Sequence, residues 1–334
     1  MNSDASTRTA LVYTPIYLGH DTGRHAENAR RLLAVMTHLD REGLLDDRRI
    51  FEPEAVPFEA LAAVHEPALI EQVLEAADAG GRWLDPDTVV SPGSYEAAAY
   101  AAGGALIAVD AALQDDPKRV FVLSRPPGHH ATPGRAMGFC LFNHVAVAAQ
   151  YALDRHGLER VAIVDWDVHH GNGTQDIFYT SGSVLYASLH QWPLYPGTGR
   201  REERGRQTGE GTTLNVPLPP GADDHDYLAA FDREIAPCLR EFAPRLLFVS
   251  AGYDAHQDDP LAMMRLTEAG FAELTRRVKR IAEEHCEGRM VLVLEGGYHP
   301  DALARSVAAT LRALDEPSDE RRATSDEHET ARDR

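Results

Sequence analysis

Val161-Ala162-Ile163-Val164-Asp165-Trp166-Asp167-Val168-His169-His170-Gly171-Asn172-Gly173-Thr174-Gln175 is the stretch from which the rest of the chain can be read. Its first four residues are apolar and three of them are β-branched, which reads as a strand buried on both faces. Strands of that kind belong mostly to parallel sheets covered by helices. Asp165, Asp167 and His169 follow at every second position and share one face if the strand runs on. A lone Asp or His at a strand end is most often a cap or a satisfied polar residue. Three at this spacing, with a second His and the turn-forming Gly171-Asn172-Gly173 behind them, point instead to a metal, because buried carboxylates need a partner and a cation supplies one.

The same punctuation recurs along the chain. Arg119–Ser124 is an apolar strand followed by Arg125-Pro126-Pro127-Gly128-His129-His130; Leu246–Ser250 is followed by Ala251-Gly252-Tyr253-Asp254-Ala255-His256; and Met290–Leu294 is followed by Glu295-Gly296-Gly297-Tyr298. Leu11–Tyr13 and Val184–His190 are further strands. Between them the spacing predicts helices from Glu27 to Gly43, Leu61–Ala77 with a break near Pro67, Tyr95–Leu113 capped by Ser94, and Val145–Leu153. Further on it predicts Tyr227–Phe242 disturbed at Pro237, Thr267 to about Cys286, and Pro300–Leu314. Arg200–Thr212 reads as a charged surface excursion. Alternating strands and helices predict an α/β fold with a central, mostly parallel sheet, helices on both faces, and one domain. His129 and His130, the Asp165/Asp167/His169 set, Asp254 and Tyr298 each follow a different strand, so four strand ends should converge on one cleft.

Composition sets limits. The chain has 334 residues, 43% hydrophobic and 25% charged, as expected of a globular domain with a sizeable core. No stretch of ~20 uninterrupted apolar residues and no apolar leader occur, so a cytoplasmic protein without a membrane span is expected. Cys140, Cys238 and Cys286 form no CxxC pair, which argues against a disulfide scaffold or a thiolate zinc cluster. The net charge of −19 opposes nucleic-acid binding and favours cationic partners, although general solubility explains it as well. From Asp315 onward the sequence is charged, nearly devoid of apolar residues, and expected to be disordered.

Asp167, His169 and Asp254 make a two-carboxylate, one-imidazole set with positions left for water and substrate. Two anionic ligands neutralise most of a dication, so water there needs a nearby base. His129 and His130 suit that role, each needing a partner on its other ring nitrogen. Tyr298 reads either as a packed aromatic after a Gly-Gly turn or as a neutral O–H donor for an oxyanion. Metal, base and phenol together describe hydrolysis of an amide or ester. An arginase-type two-metal centre would need more bridging carboxylates than His256 and Asn172 provide.

Arg125–His130, Asp165–Gln175, Ser250–Asp254 and Glu295–Tyr298, in this order, resemble the histone deacetylase superfamily, closest to its class II branch, over about Leu11 to Leu314. The resemblance implies an arginase–deacetylase fold, a catalytic domain over residues 8–314, and hydrolysis of an N-acetylated amine with Zn²⁺, or Fe²⁺ in its place. Asp167, His169 and Asp254 match the metal ligands. His129 and His130 match the acid–base pair, with Asp165 and Asn172 as their partners; Asn172 stands where class I members have aspartate. Tyr298 matches the transition-state tyrosine. Gly138, Phe139 and Tyr195 match tunnel-lining positions. The resemblance also implies structural K⁺ near Asp165, Asp167, His169, Ser188 and Leu189, and a second near Phe178, Ser181 and Val184. Leu261, after Asp259-Pro260, replaces the glutamate of the polyamine-selective branch. That favours acetyl-lysine in a protein or peptide, or another small-molecule N-acyl amine, with acetylpolyamine hydrolysis as the alternative. A non-catalytic module that binds acylated ligands is the alternative of another class, and a homo-oligomer is left open.

Overall fold

Eight strands form one sheet, and every pairing in it is parallel. The computed structural model describes residues 8–115 and 117–317. Its strands are β1 (Ala10–Val12), β2 (Ile50–Phe51), β3 (Arg82–Asp85), β4 (Thr88–Val90), β5 (Arg119–Val122), β6 (Val161–Asp165), β7 (Val184–Gln191), β8 (Thr213–Leu218), β9 (Leu246–Ala251) and β10 (Met290–Leu294). The large sheet runs β2-β1-β5-β10-β9-β6-β7-β8, and β3 and β4 form a separate antiparallel hairpin. Register sets Val122 beside Val293, Val293 beside Ser250, and Ser250 beside Asp165. Four neighbouring strands therefore end together at one edge, which carries the loops that hold the reactive residues.

Alternation along each strand divides the core. Ala162 and Val164 pack on one face with Leu32, Val35 and Leu39 of the helix Arg30–Arg41, and with Phe271, Leu274, Leu303 and Val307 of the helices Glu268–His285 and Pro300–Asp315. Val161 and Ile163 pack on the other with Ala105 and Val109 of Ser94–Leu113 and with Val145 and Ala149 of His144–His156. The sheet is thus buried on both sides, as its continuous apolar runs require. Truncating one of these side chains, such as Ile163 to Ala, should cost about 2–5 kcal/mol.

The predicted fold class holds, with several local differences. The helix expected from Glu27 begins at Arg30. Oδ1 of Asn28 takes the Arg30 N–H at 3.0 Å, and Glu27 turns its carboxylate into the core. Ser94 does not cap its helix; its hydroxyl accepts the Ser91 N–H at 2.7 Å and meets His20 Nδ1 at 2.6 Å. That helix, Ser94–Leu113, is long and apolar enough to cross a membrane by length and composition, yet it lies mostly buried in the core. Pro237, which has no N–H to donate, follows one wide π turn at Phe231–Ile235. The final helix reaches Asp315, where the tail was expected to begin. Asp315 bonds Arg48 at 2.7 Å and Glu316 bonds Arg276 at 2.7 Å. Residues 318–334 of the expected tail lie outside the described residues.

Candidate metal and acid–base centre

Asp165, Asp167 and Asp254 are buried side by side, with no arginine or lysine among their hydrogen-bond partners in the described residues. His169 Nδ1 stands 3.2 Å from Oδ1 of Asp167 and 3.1 Å from Oδ2 of Asp254. Four donors placed about 2.0 Å from a tetrahedral ion are roughly 3.3 Å apart, so these spacings suit a zinc-sized cation. The remaining carboxylate oxygens are held by backbone: Asp167 Oδ2 accepts the Gly296 N–H at 2.8 Å and Asp254 Oδ1 accepts the Val168 N–H at 2.9 Å. Glycine is needed around them, since a Cβ on Gly252 would overlap Asp167 and one on Gly296 would overlap Asp254. Burial alone would depress His169, but Asp167 and Asp254 lift it to about 10, so a proton and a divalent cation compete for one lone pair. The residues therefore fit a divalent cation.

His129 and His130 lie with ring centroids 4.0 Å apart and ring planes tilted by 44°, and their Nδ1 atoms point to different partners. His129 meets Asp165 Oδ2 at 3.0 Å, while His130 meets Asn172 Oδ1 at 2.8 Å. The environments separate the pair. Burial would depress His129, but the charges of Asp167 and Asp165 raise it to about 10. Burial, with His129 and His169 nearby, drives His130 well below the ordinary imidazole range. Asp165 itself is held by the Tyr186 hydroxyl at 3.0 Å and the Asp167 N–H at 3.1 Å.

Glu295-Gly296-Gly297-Tyr298 reaches four parts of the site in four residues. The Glu295 carboxylate accepts the N–H groups of Gly128 and His129 at 2.6 and 3.1 Å, and burial pushes it up to about 7. Gly296 holds Asp167. The Gly297 carbonyl accepts Arg31 Nε at 2.6 Å, and the Tyr298 N–H donates to Asp259 Oδ2 at 2.6 Å. Arg31 lies 4.9 Å from the centre of the Tyr298 ring and also donates to the Glu295 carbonyl. Burial raises the Tyr298 phenol well above its ordinary range despite that cation, so it stays protonated. Behind the site, buried Glu27 takes Arg125 through two bonds of 2.9 and 2.8 Å and Arg31 at 3.1 Å.

His130, His169 and Tyr298 line a cavity of about 220 Å³ together with Gly138, Phe139, Tyr195 and Leu261. All four expected tunnel residues thus meet in one place. Asp87 and Leu194 line it too, and sequence reasoning passed over both because they lie in loops without strand or helix periodicity. Asp87, at the turn of the β3–β4 hairpin, accepts the Gly138 N–H at 3.2 Å. Tyr195 (37% exposed) and Leu261 (36%), on the cavity wall, are among the eight large exposed hydrophobic side chains of the described residues, as are Trp83 (57%) and Met263 (61%). His25 links Trp83 to the cavity wall, its ring centroid lying 6.3 Å from that of Trp83 and 4.5 Å from that of Phe139. For the expected potassium positions, Asp165 and Ser188 are neighbours on β6 and β7, and Leu189 follows on β7. The Ser181 N–H donates to the Phe178 carbonyl at 2.9 Å just before Val184 opens β7.

Fold and site together define a hydrolase whose centre sits at the carboxyl edge of a parallel sheet and suits a divalent metal. Residues 25–314 match the histone deacetylase domain, and the chain belongs to that family of amide hydrolases. A probable deacetylase of Archaeoglobus fulgidus is 44% identical over 293 residues, which is 87% of this chain and 81% of that protein. A histone deacetylase-like amidohydrolase of Pseudomonas aeruginosa is 42% identical, covering 87% of this chain and 82% of its own length. The crystal structure of the HDA15 HD domain matches at a TM-score of 0.89 and 35% identity, over 94% of this chain and 91% of that one.

Proposed function

We propose that this chain is a zinc-dependent deacetylase that releases acetate from acetyl-lysine. The observation that carries the proposal is that the Asp167/His169/Asp254 set, two histidines with separate Nδ1 partners, and a protonated tyrosine meet beside one cavity, which His169, His130 and Tyr298 line. Zinc bound by those three residues would supply Lewis acidity toward an acyl carbonyl and an attacking water. Fe²⁺ suits the same donors, and structural K⁺ at the two positions named above belongs to the proposal.

His130 is the base. Its Nδ1–H is engaged by Asn172, which leaves Nε2 free to take a proton from water, and its low proton affinity keeps it neutral. His129, charged through Asp165, holds the proton that the departing amine nitrogen receives as the C–N bond breaks. The Tyr298 hydroxyl donates to the oxyanion that develops on the acyl oxygen, and loss of one such donor is worth roughly 3–4 kcal/mol. Phe139 and Tyr195 flank the methylene stem of the substrate and exclude water from it.

Leu261, at the position where the polyamine-selective branch has glutamate, and the exposed aromatics Trp83 and Tyr195 favour a lysine within a polypeptide over a free polyamine. The test is hydrolysis of an acetyl-lysine peptide and of an acetylated polyamine by the metal-analysed protein, with Tyr298→Phe as control. Peptide turnover lost in Tyr298→Phe supports the proposal; turnover of the polyamine alone reassigns the substrate. Silence on both with one zinc bound leaves a binding role.

A further inference from the structure

We propose that Glu295 is a positioning residue for the reaction: its carboxylate sets the acid–base histidines against Tyr298. One oxygen, Oε2, accepts both the Gly128 and the His129 N–H, at 2.6 and 3.1 Å. The turn that carries His129 and His130 is thereby tied to the strand that continues into Tyr298, three residues further along. Arg125 and Arg31 tie the same two loops less directly, through Glu27 behind them.

The second oxygen, Oε1, is buried and has no hydrogen-bond partner among the described residues, and the same holds for the Ser124 and Ser250 hydroxyls. All three lie on one face of the sheet, on the adjacent strands or strand extensions β5, β10 and β9. A buried carboxylate that used both oxygens only for packing would be expected to satisfy both. Here one oxygen does the holding, and the other is left without a partner among the described residues.

That asymmetry gives the prediction its form. Glutamine retains one oxygen, which can accept both N–H groups, and its amide N–H₂ takes the place of the oxygen that holds nothing. Methionine fills similar volume and accepts neither. Aspartate keeps the charge but withdraws the oxygen by one methylene. The inference rests on the acid–base roles proposed above, so it needs a readout that does not depend on turnover.

The experiment compares Glu295→Gln, Glu295→Met and Glu295→Asp by kcat and KM on an acetyl-lysine peptide and by the imidazole ¹H–¹⁵N NMR signals of His129 and His130. Gln should retain most of kcat with unmoved imidazole signals. Met and Asp should lose roughly 10²-fold in kcat with KM little changed, the size of effect that a misplacement of about 1 Å produces, and their imidazole signals should shift. Rescue by Gln alone distinguishes positioning from simple loss of stability. Wild-type kcat in Met or Asp overturns the inference, as does a loss in Gln equal to that in Asp. If Met fails to fold, the contrast between Gln and Asp decides alone. If the wild type hydrolyses neither substrate, the proposed function fails and the NMR signals still decide whether Glu295 positions the pair.

Discussion

His130 Nδ1 lies 2.8 Å from Oδ1 of Asn172, and this contact decides which ring nitrogen can act. An amide oxygen only accepts, so Nδ1 carries the hydrogen and Nε2 keeps its lone pair. The amide brings no charge and does not hold His130 protonated. In Asn172→Asp a carboxylate would attract the imidazolium, raising His130 by about 1–3 pH units and moving the acid limb of the kcat/KM profile upward by as much. An unmoved limb would show that His130 is not the base.

Removal of the divalent metal should leave Asp165, Asp167 and Asp254 poorly compensated in the core. A ligand held at 1,000-fold above its Kd stabilises a fold by about 4 kcal/mol, so chelation should lower Tm by several degrees and zinc should restore it. Asp254→Ala should bind no zinc by native mass spectrometry. A Tm indifferent to both chelator and zinc argues against the site.

Glu27 binds two buried arginines with its single carboxylate. Burial opposes its charge, but Arg125 above all brings it down to about 2. Glu27→Ala strands both cations and should cost about 3–5 kcal/mol, read from urea midpoints at constant m. A change below 1 kcal/mol would mean that the two arginines find other partners.

Acid should weaken the fold early. Burial lowers His20, His65, His144 and His190 from the ordinary 6.5 to about 4 each. Above pH 6.5 these groups are neutral in both states and exact no penalty. As pH falls from 6.5 to 4 each of these four histidines removes about 1.4 kcal/mol per pH unit, outweighing the opposite contribution of Glu295 and Asp259, two carboxyls that burial raises to about 7. Below 4 that loss levels off. The stabilisation from Glu27 is present above about 4.5 and is lost only as pH falls toward 2, so the histidines act first. Urea midpoints that stay flat from pH 7 to 5 contradict this.

Trp83 is more than half exposed at the mouth. Trp83→Ala should raise KM for an acetyl-lysine peptide several-fold, since a truncated aromatic anchor commonly costs about 1–2 kcal/mol. It should leave KM for a single acetyl-lysine residue unchanged. Equal effects on both would place Trp83 in the support of the tunnel wall instead.

Much of the fold was legible because apolar runs such as Val161–Val164 and Met290–Leu294 can only be strands buried on both faces. The clustering of Asp167, His169, Asp254, His129, His130 and Tyr298 followed from their places after such runs. β8 escaped notice: Thr213–Leu218 mixes Asn215 and Pro217 into an edge strand, where a missing donor is tolerated and periodicity is weak. The β3–β4 hairpin escaped as well, because Gly80, Gly81 and Pro86 look like loop. Glu27, Arg31 and Arg125 were visible as residues, yet nothing local announces that Arg125, 98 positions from Glu27, will share its buried carboxylate with Arg31.

The glycines against Asp167 and Asp254 leave the centre no graded neighbours. At Gly252 or Gly296 even one added carbon displaces a ligand, so inherited change cannot adjust the chemistry in small steps through those positions. The β3–β4 hairpin and the segment from Leu261 to Met263 carry no such constraint and can drift. Diversification of this enzyme is therefore channelled outward, toward what it selects and away from what it does to the bond.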